Sequence, residues 1–289
     1  MRIWLIYREE DIRKNSWYIG KYLSLSSKYN LRISLVLTKE LTLLSSEQGN
    51  TVLLHGERTD LPSLAIVRTI DPRLSRHLEL AGITVVNSSH VSEVCNDKAR
   101  TYQEIASLKI PMVPSFFCRH ECLPEFIDNI TSNTVVKTVD GHGGQEVFLL
   151  SPKDCDLRLE LKQIKAKTTS DFVIQPLLGS KHQDLRVYVL GKQILAAVLR
   201  TSRDGFKANY SLGGSVTEYF LSEEEIKKVK QIIDHFNFDL VGIDFILDDD
   251  NTLIFNEIED VVGARMLYEC TKIDIVDCYL RHLSENYKQ

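Results

Sequence analysis

One aspartate, Asp244, and two glutamates, Glu257 and Glu259, flank the turn-forming run Asp248-Asp249-Asp250-Asn251. Strand-like residues lie on both sides, 240–247 before the run and 253–258 after it, so the segment reads as a β-hairpin. A four-residue turn sets Leu247 opposite Thr252 and Asp244 opposite Phe255. Side chains repeat every second residue, so Glu257 and Glu259 share the face that carries Asp244. Two carboxylates ~4 Å apart repel by roughly 4 kcal/mol at an effective dielectric near ~20. A divalent cation removes that repulsion, and an all-oxygen donor set suits magnesium or manganese. A solvent-facing acidic edge uses the same residues, and spacing alone leaves both readings open.

A second group of residues suits anions. Only 14 glycines occur in 289 residues, yet three fall within Asp140-Gly141-His142-Gly143-Gly144, just after Lys137. An amide-rich loop beside a lysine can close over phosphate, although a plain mobile turn has the same composition. No GK[ST] follows, so this is not a P-loop. Asp184-Leu185-Arg186-Val187-Tyr188 sets an acid, a base and an aromatic on one strand face, where a surface ion pair is the simpler reading. Arg200, Arg203 and Lys207 follow, then Asn209 and Gly213-Gly214. Cations beside amides suit oxyanions, and a solvated charged loop also accounts for them. Cys118-Arg119-His120-Glu121-Cys122 lacks the second ligand pair of a zinc site. Neither HExxH nor GxSxG occurs. His142 reads as a loop residue rather than a general base.

The elements that must position these groups change style near Asn96. Residues 3–7, 31–37, 64–68 and 83–86 are short apolar runs. Helical spacing over 15–29 and a helix over 72–80, capped by Asp71 and stopped by Gly82, separate them. That βαβ rhythm predicts a small parallel sheet. Asn96 is placed to cap a helix over 97–108. Hairpin-like pairs then dominate: 135–137 with 146–150, 184–190 with 194–200, and 240–247 with 253–258. Ser222 and Glu225 form a capping box ahead of Ile226, Val229, Ile232 and Phe236 on one helical face. The fold class is therefore an α/β N-terminal part attached to an α+β body.

Composition narrows the function classes. Lysine plus arginine number 35 and aspartate plus glutamate 40, giving a net charge of −5. No global field recruits nucleic acid or an anionic membrane. The longest apolar runs are strand-sized, well short of the ~20 residues a spanning helix needs. The first residues meet Arg8, Glu9, Glu10 and Asp11 too soon for a secretory signal. Six cysteines (95, 118, 122, 155, 270 and 278) form no CxxC pair and read as reduced cytoplasmic thiols.

Taken in order from Asn96 to Glu259, these segments resemble the ATP-grasp superfamily, and within it the RimK-like (ribosomal-protein-S6 glutamate-ligase-like) carboxylate–amine ligases. The resemblance begins at Asn96-Asp97-Lys98 and runs through Val136-Lys137 and the glycine loop. Ile174-Gln175-Pro176-Leu177, Asp184-Leu185-Arg186, Arg200, Lys207-Ala208-Asn209 and Gly213-Gly214 follow, and Gly242-Ile243-Asp244 with Glu257-Ile258-Glu259 closes it. It implies an ATP-grasp fold with an N-terminal Rossmann-like (pre-ATP-grasp) domain over 1–92. The ATP-grasp domain then covers 93–289, with subdomains over 93–174 and 175–289 and nucleotide in the cleft between them.

The resemblance also implies roles. Lys98 and Lys137 contact ATP phosphates, and Gly141, Gly143 and Gly144 close over them. Gln175, Pro176 and Leu177 form the hinge beside adenine, and Asp184 touches the nucleotide. Lys207 and Asn209 approach the phosphates, and Arg200 steadies an acyl phosphate. Asp244, Glu257 and Glu259 hold up to two Mg2+ ions, with Mn2+ as a substitute. The implied activity joins a small-molecule or peptide carboxylate to an amine with release of ADP and phosphate, and needs no side-chain nucleophile. A ligase acting on a carrier-protein thiol or ribosomal peptide, an ATP-grasp kinase and a non-catalytic nucleotide-binding regulator are the alternatives. Family members often assemble, so a homo-oligomer fits the resemblance. The chain departs from the family pattern twice: Glu259 stands where the metal motif usually ends in asparagine, and Asp260-Val261-Val262-Gly263-Ala264-Arg265 replaces a Ser-Pro-Gly stretch.

Overall fold

The computed structural model describes residues 1–144, 146–153, 156–202 and 215–287. The expectations for Cys155, Arg203, Lys207, Asn209, Gly213 and Gly214 lie outside the described residues.

Strands Arg32–Leu37, Arg2–Tyr7, Leu64–Val67 and Thr84–Val86 form, in that spatial order, a parallel sheet. Alternation serves two cores. Ile3, Leu5, Leu64 and Ile66 face one, beneath helix Glu9–Leu25, while Trp4, Ile6, Ala65 and Val67 face the other, against helix Pro72–Leu80. The Asp71 side chain accepts the Leu74 N–H at 2.9 Å, and Gly82 takes φ +87° past the helix end, as the sequence signals require. The first helix starts at Glu9 rather than Asn15, because Glu9, Glu10 and Asp11 favour the positive end of the helix dipole. Asn96 does not cap the helix after it. Asp97 does, accepting the Arg100 N–H at 3.1 Å, and Asn96 terminates a separate short helix, Ser89–Cys95. A small antiparallel sheet of Leu41–Ser46, Gly49–Leu54 and Glu57–Arg58 is inserted within the first hundred residues, where the sequence reading places no element.

Two antiparallel sheets complete the fold. One runs Val147–Leu150, Thr134–Thr138, Phe172–Pro176, Phe116–Cys118. The other runs Ser215–Tyr219, Gln193–Thr201, Gln183–Leu190, Leu240–Leu247, Leu253–Glu259. Leu185, Val187, Val241, Ile243 and Phe245 point to a core covered by helices Lys98–Ser107 and Glu223–His235, the latter starting at the expected Ser222–Glu225 capping box. The opposite face carries Arg186, Tyr188, Gly242 and Asp244. Tyr188 and Leu240 on that side share a core with Leu5, Tyr22 and the last helix, Ile275–Asn286. The charged face therefore looks toward the parallel sheet.

The hairpin register differs from the expected one. Leu247 pairs with Leu253, Phe245 with Phe255, and Asp244 with Glu257. The Asp248 carboxylate accepts the Thr252 N–H at 2.7 Å, which draws Thr252 into the turn. A bulge then leaves Asn256 as the extra residue between the Phe255 and Glu257 pairs. Without it Asp244 would face Asn256, and both glutamates would point to the opposite side. The three carboxylates share a face because of the bulge, not because of a four-residue turn. Among the described residues no helix is long and apolar enough to cross a membrane.

A Cβ on Gly242 would lie 2.7 Å from Val262 Cγ2 and 3.3 Å from Arg186 Cδ. Gly242→Ala should therefore destabilise the protein by about 1–3 kcal/mol. Urea unfolding monitored by circular dichroism measures this, and an unchanged midpoint would contradict the close packing.

Candidate active site

Asp244 is fully buried, and its carboxylate accepts Arg186 Nε at 2.8 Å, Arg186 Nη2 at 2.7 Å and Arg200 Nη2 at 2.7 Å. Strand register produces this: Arg186 sits directly opposite Asp244, and Arg200 directly opposite Asp184. Arg186 Nη2 also lies 2.6 Å from Glu259 Oε1, and Arg200 Nε donates to Asp184. Burial alone would push the Asp244 carboxyl up, but the two guanidiniums hold it down at about 2. Burial pushes the Asp184 carboxyl up against the pull of Arg200. The surface ion pair that Asp184 and Arg186 suggest in sequence is thus a buried network. Arg186, for which spacing supplies no role, is its hub.

Beside this network lies a cleft lined by Lys98, Lys137, Gly141, Gly143, Gly144, Gln175, Pro176, Leu177, Asp184 and Glu257. These ten expected site residues, drawn from both antiparallel sheets and the helix before them, are brought together. Lys137 Nζ donates to Asn256 Oδ1 at 2.9 Å and to the Tyr102 hydroxyl at 3.4 Å. Lys98 Nζ donates to Gly141 O and lies 3.9 Å from Glu257 Oε2. Burial pulls both lysines below their usual range, and the Glu257 charge opposes the shift. Asn256 and Tyr102 escape the sequence reading, because only the bulge brings Asn256 alongside Glu257 toward Lys137.

The glycine loop is more constrained than a plain turn. A Cβ on Gly141 would collide with Thr138 Oγ1, and Gly143 and Gly144 adopt φ +64° and +73°. His142 is pulled down by burial and by Lys98. Buried Gln175 donates Nε2 to Ser115 Oγ at 2.8 Å, and the Leu177 N–H is engaged by Asn133 O at 2.9 Å. The Leu177 N–H is therefore not free to read a base edge in this conformation.

Arg200, Asp244 and Glu259 are not among the residues that line this cleft. Arg200 bonds Asp184, and Asp244 pairs with Glu257 across the hairpin; Asp184 and Glu257 do line it. Carboxylate oxygens of Asp244, Glu257 and Glu259 lie within 4.8 Å of one another. An all-oxygen, anionic set of that size fits a hard divalent cation. Glu257 and Glu259 keep 31% of their side-chain surface exposed, whereas buried Asp244 already accepts three N–H bonds.

A four-sheet chain with a lysine- and glycine-lined cleft beside a carboxylate cluster defines the ATP-grasp class. The RimK-like ATP-grasp domain profile matches residues 95–283, and the chain belongs to that family. It is an enzyme of the ligase class. It is 30% identical over 250 residues to human beta-citrylglutamate synthase B, covering 80% of this chain and 64% of the synthase. Human N-acetylaspartylglutamate synthase A is 30% identical over 233 residues, covering 75% and 58% respectively. The chain thus spans less than two thirds of these two synthases. The ATP-grasp ligase PsnB, solved with a phosphomimetic precursor variant, Mg and ADP, superposes with a TM-score of 0.73 at 17% identity over 99% of this chain and 98% of PsnB.

Arg186→Met should cost about 3–5 kcal/mol, because it strips Asp244 of two N–H donors while leaving the charge buried. Arg200→Met, which removes one, should cost less. Equal urea midpoints for the two variants would refute the hub assignment.

Proposed function

We propose that this protein is an ATP- and magnesium-dependent ligase that activates a carboxylate as an acyl phosphate and joins it to an amine. One observation carries the reading: two buried lysines on different elements, Lys98 and Lys137, converge on the Asn256–Glu257 corner where a three-carboxylate group begins. That arrangement suits a phosphate chain and its counter-ions, and the ligase relatives point the same way.

A carboxylate is a poor acyl donor because oxide would have to leave. Transfer of the terminal phosphoryl group from ATP to a carboxylate oxygen gives a mixed anhydride and ADP. The amine nitrogen then attacks the carbonyl, the C–O bond to phosphate breaks, and phosphate departs with the electron pair. The amine proton passes to solvent or phosphate. The protein contributes positioning and charge. Lys98 and Lys137 hold the phosphates, and the Gly141–Gly144 segment covers them and excludes water. Gln175, Pro176 and Leu177 line the nucleotide side with Asp184. Arg200, Lys207 and Asn209 serve the transferred group. Asp244, Glu257 and Glu259 hold magnesium, for which manganese substitutes, and the ion supplies charge neutralisation at the phosphoryl group. We assign residues 1–92 to substrate binding and 93–289 to the ATP-grasp body, acting in the cytoplasm on amino acids or peptides.

Incubation with ATP, Mg2+, hydroxylamine and pooled amino acids tests this. A pool that yields ADP with a hydroxamate supports acyl-phosphate chemistry, whereas a phosphorylated product stable to hydroxylamine would make the protein a kinase. Glu257→Gln should lower ADP formation by about a hundredfold or more while the fold persists. An unchanged rate would remove Glu257 from the metal set.

A further inference from the structure

Among the described residues, the buried side-chain polar atoms without a hydrogen-bond partner gather outside the cleft: the hydroxyls of Tyr7, Tyr18 and Tyr22, and Nε of Arg68. Arg68 Cζ lies 5.5 Å from the Tyr18 ring centroid, and the Tyr18 and Tyr22 rings meet edge-on at 5.2 Å. Tyr7 ends the strand beside Arg68, whose N–H donates to Ile6 O at 2.9 Å. A buried guanidinium normally needs an anion, because desolvating a lone charge costs several kcal/mol. Arg186 and Arg200 have carboxylates. Arg68 is 9% exposed and makes no ion pair among the described residues. Its one hydrogen bond to another side of the fold runs from Nη2 to Val262 O at 2.8 Å. Asp260, close by in sequence, is occupied by Asn87 and Asn96 at 2.7 and 3.3 Å.

The location points to a ligand. Arg68 and Tyr7 sit at the carboxyl ends of adjacent parallel strands, where open α/β sheets take ligands. Val262, to which Arg68 is bonded, follows Glu259 by three residues and packs on Gly242, with Arg186 beside it. Tyr188, on the charged face, donates its hydroxyl to Gly263 O at 3.0 Å. An anion at Arg68 therefore lies across the 260–263 connection from the carboxylate cluster.

We propose that Arg68, with the hydroxyls of Tyr7 and Tyr18, binds the non-reacting carboxylate of an amino-acid substrate, an inference that rests on the ligase reading for the identity of its ligand. The guanidinium supplies charge, Nε and the hydroxyls supply the donors now without partners, and the carboxylate satisfies them together. A carrier-protein thiol or a simple amine has no such group. Arg68 is then a specificity residue, distinct from the nucleotide cleft.

Thermal-shift titration of the full chain, held in Mg2+ and ADP, tests this with the proteinogenic L-amino acids, their α-carboxamides and inorganic phosphate. At least one free amino acid should raise the melting temperature, and neither its carboxamide nor phosphate should match it. Arg68→Met should weaken that amino acid about tenfold or more, Arg68→Lys less, with ADP affinity unchanged. Should Arg68→Met fail to fold, Tyr18→Phe, which deletes only an unpaired hydroxyl, should weaken the amino acid roughly threefold. No response to any free acid, equal binding of the carboxamide or phosphate, or undiminished affinity in the folded variant overturns the proposal. Turnover is a separate readout: amino-acid binding that depends on Arg68 without ADP formation would sink the ligase reading and leave the anion site standing.

Discussion

The buried carboxylate of Asp244 is the constraint from which the rest of the site follows. A lone charge at zero exposure is not tolerated, and here it is met by two guanidiniums. Two cations around one anion leave positive charge to be balanced. Asp184 on Arg200 and Glu259 on Arg186 supply the balance. Arg186 faces Asp244 and Arg200 faces Asp184 across neighbouring strands, while Arg200 and Glu259 each reach across one strand, to Asp244 and Arg186 respectively. The charge pattern and the sheet pairing therefore specify each other. A slip of one residue in any of these strands would bury Asp244 beside apolar side chains, which is a strong selection against wrong register.

Charge also accounts for what the cleft can hold. Four carboxylates (Asp184, Asp244, Glu257, Glu259) face four cations (Arg186, Arg200, Lys98, Lys137) among the described residues. The group is close to neutral as built. A phosphate chain added to it would bring negative charge that these side chains already offset internally, so metal ions are the natural complement. The two lysines illustrate the same economy. Their burial disfavours the ammonium form, and the negative charge of Glu257 beside them opposes that shift.

The sequence makes the elements legible where the signal is local. Asp71-Pro72, Gly82 and the Ser222–Glu225 box mark ends that the fold keeps, since caps depend on a few adjacent residues. The strand pairs from 134 to 259 follow from alternation and turn residues. Long-range pairing is what spacing misses. Arg186 gains its meaning from Asp244, which is 58 residues away, and Asn256 from a bulge with no signature of its own. Arg68 is invisible for the same reason, because its burial depends on helix Glu9–Leu25 and the 260–263 connection. The sheet within 41–58 is exposed along most of its first strand and so lacks the apolar contrast that would announce it.

Glu259, where the family pattern has asparagine, shows how such a departure is absorbed. On its own the extra charge would raise the repulsion within the carboxylate cluster and shift the balance of any bound ion. Arg186 Nη2 lies 2.6 Å from Glu259 Oε1 while also bonding Asp244, so much of that charge is offset within the protein. The carboxylate then presents to the cleft a field closer to that of a neutral amide than its formal charge suggests. The substitution changes the donor from amide to carboxylate and adds one negative charge, which Arg186 lies against. An intact site is therefore compatible with Glu259, provided that Arg186 keeps both of its anionic partners.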